Sequence, residues 1–502
     1  MGLICFVLLA AEKRLEPYQQ VLIKKGPAAV HGKNGPLELR ASDGSVWTKE
    51  TRGVRRHLGN EDQWFHGKRF LPCDEVEGIE EVTKGRVRIH TSCGDSEIWF
   101  AKIRLEEKAR NYDSIANRHK RLGFVADAQL DSPGDLKTLR LRSNDNDGLW
   151  TAMYAVAKLL EYKVGKTTKA AKDADDAIRA VLSLEKVTGT PGYPARSFIA
   201  NGETKPKDGF WYPAQDQERQ WKSDTSSDEI VGHFLMFALA WDLYEGPQRE
   251  DIRETCRRMM DTILANGYNL IDPKTGKPTR WGKWSPEYFS GVGRSDSPLN
   301  AVELVSFLRT AHYVTGDVKY ERELKKVIEE LSYLKIATEV KERQNELNYS
   351  DEELAMLSFY PLILHEKNPK YREEILKALD GWWVNIQREG NPLWNSIYEL
   401  GRGDQPKMRE MSVRTLERLP MDLIHWRMEN SWRKELPVAE KVDRFKRKQT
   451  TVLLPPDERS VMKWNGNPFV LDGGNDGRSE DDGTIFLLPY WLGRHHKLWG
   501  ER

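Results

Sequence analysis

The chain has 502 residues, 39% hydrophobic and 31% charged, more than one hydrophobic core usually fills. It therefore reads as a folded protein of one large domain with an appendage, or of two to three smaller domains. Lys and Arg number 78 against 77 Asp and Glu, a formal charge of +1, which leaves no long-range field for nucleic acid or an anionic membrane.

The opening Leu3–Ala11 run, LICFVLLAA, is too short to span a bilayer and resembles the apolar part of a secretory signal, though no Lys or Arg precedes it. Residues 1–11 are thus a signal-like segment, and a secreted or periplasmic location is the expectation. No later segment approaches a membrane-spanning length, so no membrane span is expected.

Residues 12–110 form a β-rich appendage. Between Asp43 and Phe100 the texture is strand and turn, and Gly44 and Gly85 lie one propeller-blade length apart, each followed by a period-two Val run. Two blades cannot close a propeller, so this region reads as a propeller-like remnant packed on a main body. The four cysteines, Cys5, Cys73, Cys93 and Cys256, show no metal-ligand spacing. Cys73 and Cys93 flank a hairpin and would pair in an exported protein.

From Asn111 to the C-terminus long helical periods take over. Charged amphipathic stretches at 166–187, 248–266, 317–334 and 368–388 alternate with helices that are apolar nearly all round at 148–163, 229–244, 298–315, 352–365 and 482–494. A sixth buried helix falls between Leu393 and Asn430, from PLWNSIY or MDLIHWRMEN. This alternation predicts a mainly α fold, an (α/α)6-type toroid of six or seven helical hairpins over residues 111–502.

Nearly every buried helix is led by an acidic run: SNDNDGLW, DTSSDE, NYSDEE and SEDDGT. Parallel inner helices gather their N-termini at one mouth, where the helix dipole favours negative charge. Ser226 with Glu229 and Ser350 with Glu353 also fit an ordinary capping box. Two or three acids per run exceed what a cap needs, and opposed carboxyls of split pKa suit glycosidic cleavage. Asp145, Asp147, Asp228 and Glu229 are the catalytic candidates.

The chain holds 17 Trp, enough to line a groove as well as fill a core. Candidate substrate-binding residues are Trp150, then Arg280, Trp281, Trp284, Glu287 and Tyr288 in PTRWGKWSPEYF, and Trp464 and Asn465 in KWNGNPF. Arg196 and Arg294 are candidates to grip a sugar carboxylate or sulfate, and His233 lies one turn in from Glu229. Asp482 belongs to the EDDG run, whose acids make calcium conceivable although the spacing is not an EF-hand; no other metal or cofactor is expected. His495–His496 reads as a solvated end.

Taken together, SNDNDGLWTAMYA, PGYPARSF, DTSSDEIVGHF, GKPTRWGKWSPEYF, SDEELAML and MKWNGNPF resemble a group of exported bacterial proteins. In these, sensor-propeller-like repeats precede an (α/α) toroid similar to glycoside hydrolases and polysaccharide lyases. The resemblance implies a glycan-active fold without supplying catalytic residues. The expected function is a glycoside hydrolase acting on an oligo- or polysaccharide through Asp/Glu acid-base chemistry. The alternatives are a polysaccharide lyase with a Tyr or His base, for which Tyr288, His233, Arg280 and Asn465 are available, and a non-catalytic glycan-binding or sensor protein.

Overall fold

The computed structural model describes residues 17–27, 35–344 and 346–500. The signal-like segment and Cys5 lie outside the described residues.

Two four-stranded antiparallel sheets make up the N-terminal part. One orders strands Tyr18–Gly26, Gly94–Ile103, Arg86–Thr91 and Val76–Thr83 side by side, and the other runs Glu38–Arg40, Val46–Lys49, Val54–Leu58, Glu61–Phe65. Gly44 and Gly85 both sit in the left-handed region, at φ 87° and 75°, in tight turns that an L side chain would strain. Trp47, Val54, Phe65, Phe70, Ile79, Ile89 and Ile98 bury a core of their own, into which Met428 from the C-terminal segment inserts. Cys73 and Cys93 are joined by a disulfide, and Cys256 is a free, buried thiol.

The rest is mainly helical. Six buried helices are α1 (Asp147–Gly165), α2 (Ser227–Leu243), α3 (Ser297–Thr315), α4 (Tyr349–His365), α5 (Pro392–Arg402) and α6 (Thr484–His495). Each packs on the next, and α6 packs back on α1. The sequence sets this arrangement, because all of these helices but the one-sided α5 are apolar nearly all round and need partners on several sides, whereas the amphipathic ones need only one. Thus Thr168–Thr188 covers α1, Arg249–Ala265 covers α2 and α3, Val318–Glu329 and Tyr333–Thr338 cover α3, and Pro369–Ile386 covers α4 and α5. Pro406–Arg418 lies on α5 and Leu105–Arg118 on α6. Of the two stretches read as a sixth buried helix, PLWNSIY supplies α5, whereas MDLIHWRMEN is extended and pairs Met428–Glu429 with Asp472–Gly473.

Where α1 crosses α2 the backbones approach through glycines. A Cβ on Gly232 would stand 2.6 Å from the Leu149 Cα. Among the described residues no helix is long and apolar enough to cross a membrane.

Candidate active site

The leading turns of α1 and α2 abut. Glu229 Oε1 accepts the Gly148 amide at 3.1 Å, and Ser226 Oγ donates to Asn146 Oδ1 at 3.1 Å. Neither capping box forms. The Ser226 side chain accepts no capping bond from its own helix, and the cap of α4 is Asn348, whose Oδ1 accepts the Ser350 amide at 3.3 Å. The acids of these runs are therefore free for tertiary roles.

Together with Asp296 and Glu303 of α3 and its leading turn, they fall into two depths. Asp147, Glu229, Glu303 and Glu353 are buried, and each keeps one carboxylate oxygen with no hydrogen-bond partner. Burial pushes Asp147 up to about 7, Glu303 and Glu353 up to about 8, and Glu229 well above the ordinary range. Asp228, Asp296 and Asp351 are half-buried above them. Burial raises Asp351 to about 7, with the charges of Asp296 and Asp228 adding to the push. Asp228 is raised by burial, against the Ser226 hydroxyl and Arg196. Its charge also acts on Glu303 and Glu353, so acids led in by α2, α3 and α4 share one electrostatic neighbourhood.

Lys463 links this group to α1 and α6. Its ammonium lies 4.2 Å from the Trp150 ring centroid and donates to Asp127 Oδ1 at 3.2 Å. Burial works against its charge, but Asp127, Asp481 and Asp482 hold it protonated, and it in turn lowers Glu353. Asp481 is the opposite of Asp351: burial would raise it, yet His425 at 3.1 Å and Lys463 outweigh that and keep it below the usual carboxylate range. One of its oxygens has no partner. A cleft of about 1130 Å³ opens here, lined by Asp127, His425, Lys463, Asn465 and Asp481 among others.

Several sequence candidates take other roles. Asp145 is exposed and spent on ion pairs to Arg196, at 2.7 Å, and Lys222. Asp147 and Glu229 are sealed beneath the mouth, because adjoining helices close over them. Arg196 also binds the backbone oxygens of Asp145 and Asp224, so it ties the α1 and α2 entries together. His233 is a core histidine: Nδ1 meets Glu229 O at 2.7 Å, and burial holds its pKa down.

Trp284 and Trp464 are packing residues and present no face to the cleft; Trp284 Nε1 donates to Glu303 Oε2 at 2.7 Å. Arg280, Trp281, Glu287 and Arg294 are exposed, and Arg280 is held near α2 by its amide's bond to Asp224 Oδ1 at 2.8 Å. Tyr288 donates to Asp296 at 2.5 Å. Asp482 Oδ1 accepts the Thr484 amide at 2.7 Å, and Glu480 is bound by Arg118 and His119, so these two acids of the EDDG run are engaged by protein partners while Asp481 keeps an oxygen unpartnered. The His495–His496 end is half-buried, and His496 Nε2 meets the Tyr360 hydroxyl at 2.7 Å because the C-terminal residues fold back over α6.

Asp351, Asp481, Asp296, Asp127, Lys463 and His425 were not singled out from sequence. Asp351 and Asp481 stood inside the acidic runs, and Lys463 stood beside Trp464. Asp127, Asp296 and His425 carry no local signal.

No protein-family model matches the chain, and neither does any curated protein. Among solved structures the chain is similar to a metagenome-derived glycoside hydrolase family 9 endoglucanase, at 12% identity and a TM-score of 0.42, covering 95% of this chain and 97% of that one. A single-site variant of a thermostable endoglucanase from Alicyclobacillus acidocaldarius matches at 11% identity and a TM-score of 0.42, over 96% of each chain. An unsaturated glucuronyl hydrolase from Streptococcus agalactiae matches at 9% identity and a TM-score of 0.30, over 79% of this chain and 90% of that one.

Proposed function

We propose that this chain cleaves glycosidic bonds of an oligo- or polysaccharide by hydrolysis, on an (α/α)6 toroid whose inner ring is α1 to α6. The observation that carries the reading is the split among the carboxyls led in by the inner helices, with Asp481 beside Lys463 held ionised and Asp351, with Asp228, pushed toward the protonated form. Hydrolysis needs that division of labour: a protonated carboxyl gives its proton to the leaving glycosidic oxygen, and an ionised one takes a proton from the attacking water or attacks carbon itself. Asp351 and Asp228 are half-buried, so a sugar oxygen can reach them, and Asp481 keeps one oxygen unpartnered. Trp150, buried in the helical core, packs beneath the Lys463 ammonium and helps to position it.

The lyase alternative is less well served. Its base must lose a proton readily, but burial and Asp296 raise Tyr288, and His233 is enclosed in the core. The Cys73–Cys93 bridge suits a secreted or periplasmic location.

The test is incubation with neutral and uronic-acid polysaccharides, read by reducing ends and by the ultraviolet absorbance of unsaturated uronates. Hydrolysis yields new reducing ends without absorbance. Asp481→Asn and Asp351→Asn should each cost roughly 100-fold or more in turnover, with the thermal midpoint little changed. Parental turnover in both variants sinks the assignment, and binding without cleavage by the parent leaves a glycan-binding protein.

A further inference from the structure

Two guanidinium-on-aromatic pairs flank the acids of the mouth. On the α2 side the Arg280 guanidinium lies 4.7 Å from the Trp281 ring centroid, and the indole is 43% exposed. This pair is pinned by the Arg280 amide to Asp224, four residues upstream of Asp228. On the α4 side the ring of Phe445, 68% exposed, has Arg444 at 5.4 Å and Arg447 at 5.0 Å. The turn that carries it is built to hold it out. Asp443 accepts the amides of Phe445 and Arg447 at 2.9 Å each, binds the Arg447 side chain at 2.7 Å and takes the Asn467 amide at 3.3 Å. Arg447 and Asn467 in turn line the cleft.

The charges on these pairs are poorly spent within the protein. Among the described residues no carboxylate stands within ion-pair distance of Arg280, and the carboxylate nearest Arg444 is the exposed Glu346, at 3.9 Å. The Arg444 charge nevertheless reaches Asp351. An exposed phenyl or indole is expensive to keep in water, and next to an underused guanidinium it fits one ligand chemistry. The C–H face of a sugar ring covers the aromatic, while an anionic substituent on that sugar meets the arginine.

We propose that Arg280 with Trp281 and Arg444 with Phe445 are subsites on either side of the bond to be cleaved, and that the substrate is a polymeric glycan bearing carboxylate or sulfate groups. This rests on the hydrolase reading for its placement, yet it concerns binding and is tested by binding. The silenced Asp351→Asn chain is titrated with polygalacturonate, with a sulfated dextran and with plain dextran, at low and high salt. At least one anionic polymer should bind about tenfold or more tightly than plain dextran, with the advantage shrinking in salt; the polymer that gains it tells carboxylate from sulfate. Arg280→Gln and Arg444→Gln should each reduce that advantage several-fold, and the double variant should abolish it. Equal affinity for all three polymers overturns the inference, as does an advantage undiminished in the double variant. If the parent cleaves plain dextran and ignores both anionic polymers, only this inference fails. If the anionic polymer binds through the arginines and the parent cleaves nothing, only the hydrolase reading fails.

Discussion

Glu353 shows what burial does to a single acid. It is the fifth residue of α4, with one oxygen unpartnered, pushed up to about 8 by burial and by Asp228. The folded chain thus holds a proton that the unfolded chain releases near its ordinary value of 4.5. The stability it contributes is complete below about pH 4.5 and is lost as pH rises toward 8. Glu353→Gln has no proton to lose, so its midpoint should climb relative to the parent between those limits, as thermal melts across pH would record. A difference that stays flat or runs the other way means the carboxyl is ionised in the folded protein. The residue scale was also where sequence reading was weakest. Spacing marked the acidic runs, but it did not separate Asp228, which reaches the surface, from its neighbour Glu229, which does not. That distinction depends on the neighbouring helix, since Gly148 donates to Glu229. Arg444 and Phe445 lie in KVDRFKRK, a run that reads as solvated charge until the Asp443 turn is seen.

At the scale of elements far more was legible. Five of the six buried helices follow directly from unbroken apolar periods, because a helix without a polar face has no stable place except inside. PLWNSIY and MDLIHWRMEN were inseparable, since both are short, apolar and led by a proline; Asn391, which accepts the Leu393 amide at 3.0 Å, caps the first turn in one, whereas Leu419 precedes Pro420 in the other and has no side-chain acceptor. The close pairing of α1 with α2 was not visible, because a glycine inside a helical period ordinarily reads as a weakness. Here Gly232 permits the crossing, with room for no more than a hydrogen toward Leu149. Gly232→Ala gains helix propensity but must push two backbones apart. The net result should be a loss of about 1–3 kcal/mol by denaturant unfolding. A neutral or stabilising outcome means that the helices separate there at no cost.

On the scale of the whole molecule there are two large cores among the described residues, with a small third one of Leu130, Ile424 and Trp426. The N-terminal sheets bury Trp47, Phe65 and Ile89 apart from the helical body, and the disulfide lies wholly within that part. Cys93→Ser opens a link spanning 20 positions and should weaken the sheets by about 3 kcal/mol. Amide exchange should then quicken across residues 76–103 while α1 to α6 keep their protection; an equal loss everywhere would show the two parts unfolding as one. The helical body is different in kind, because its ring has no end: α6 is held by α5 on one side and by α1 on the other. During translation α1 leaves the ribosome more than 300 residues ahead of the segment that covers its flank. At about 5–20 residues per second that flank stays uncovered for tens of seconds. A message truncated ahead of α6 would leave the greasy seam permanently uncovered, so chaperone demand in the cell should follow the completion of that helix and not the length of the chain.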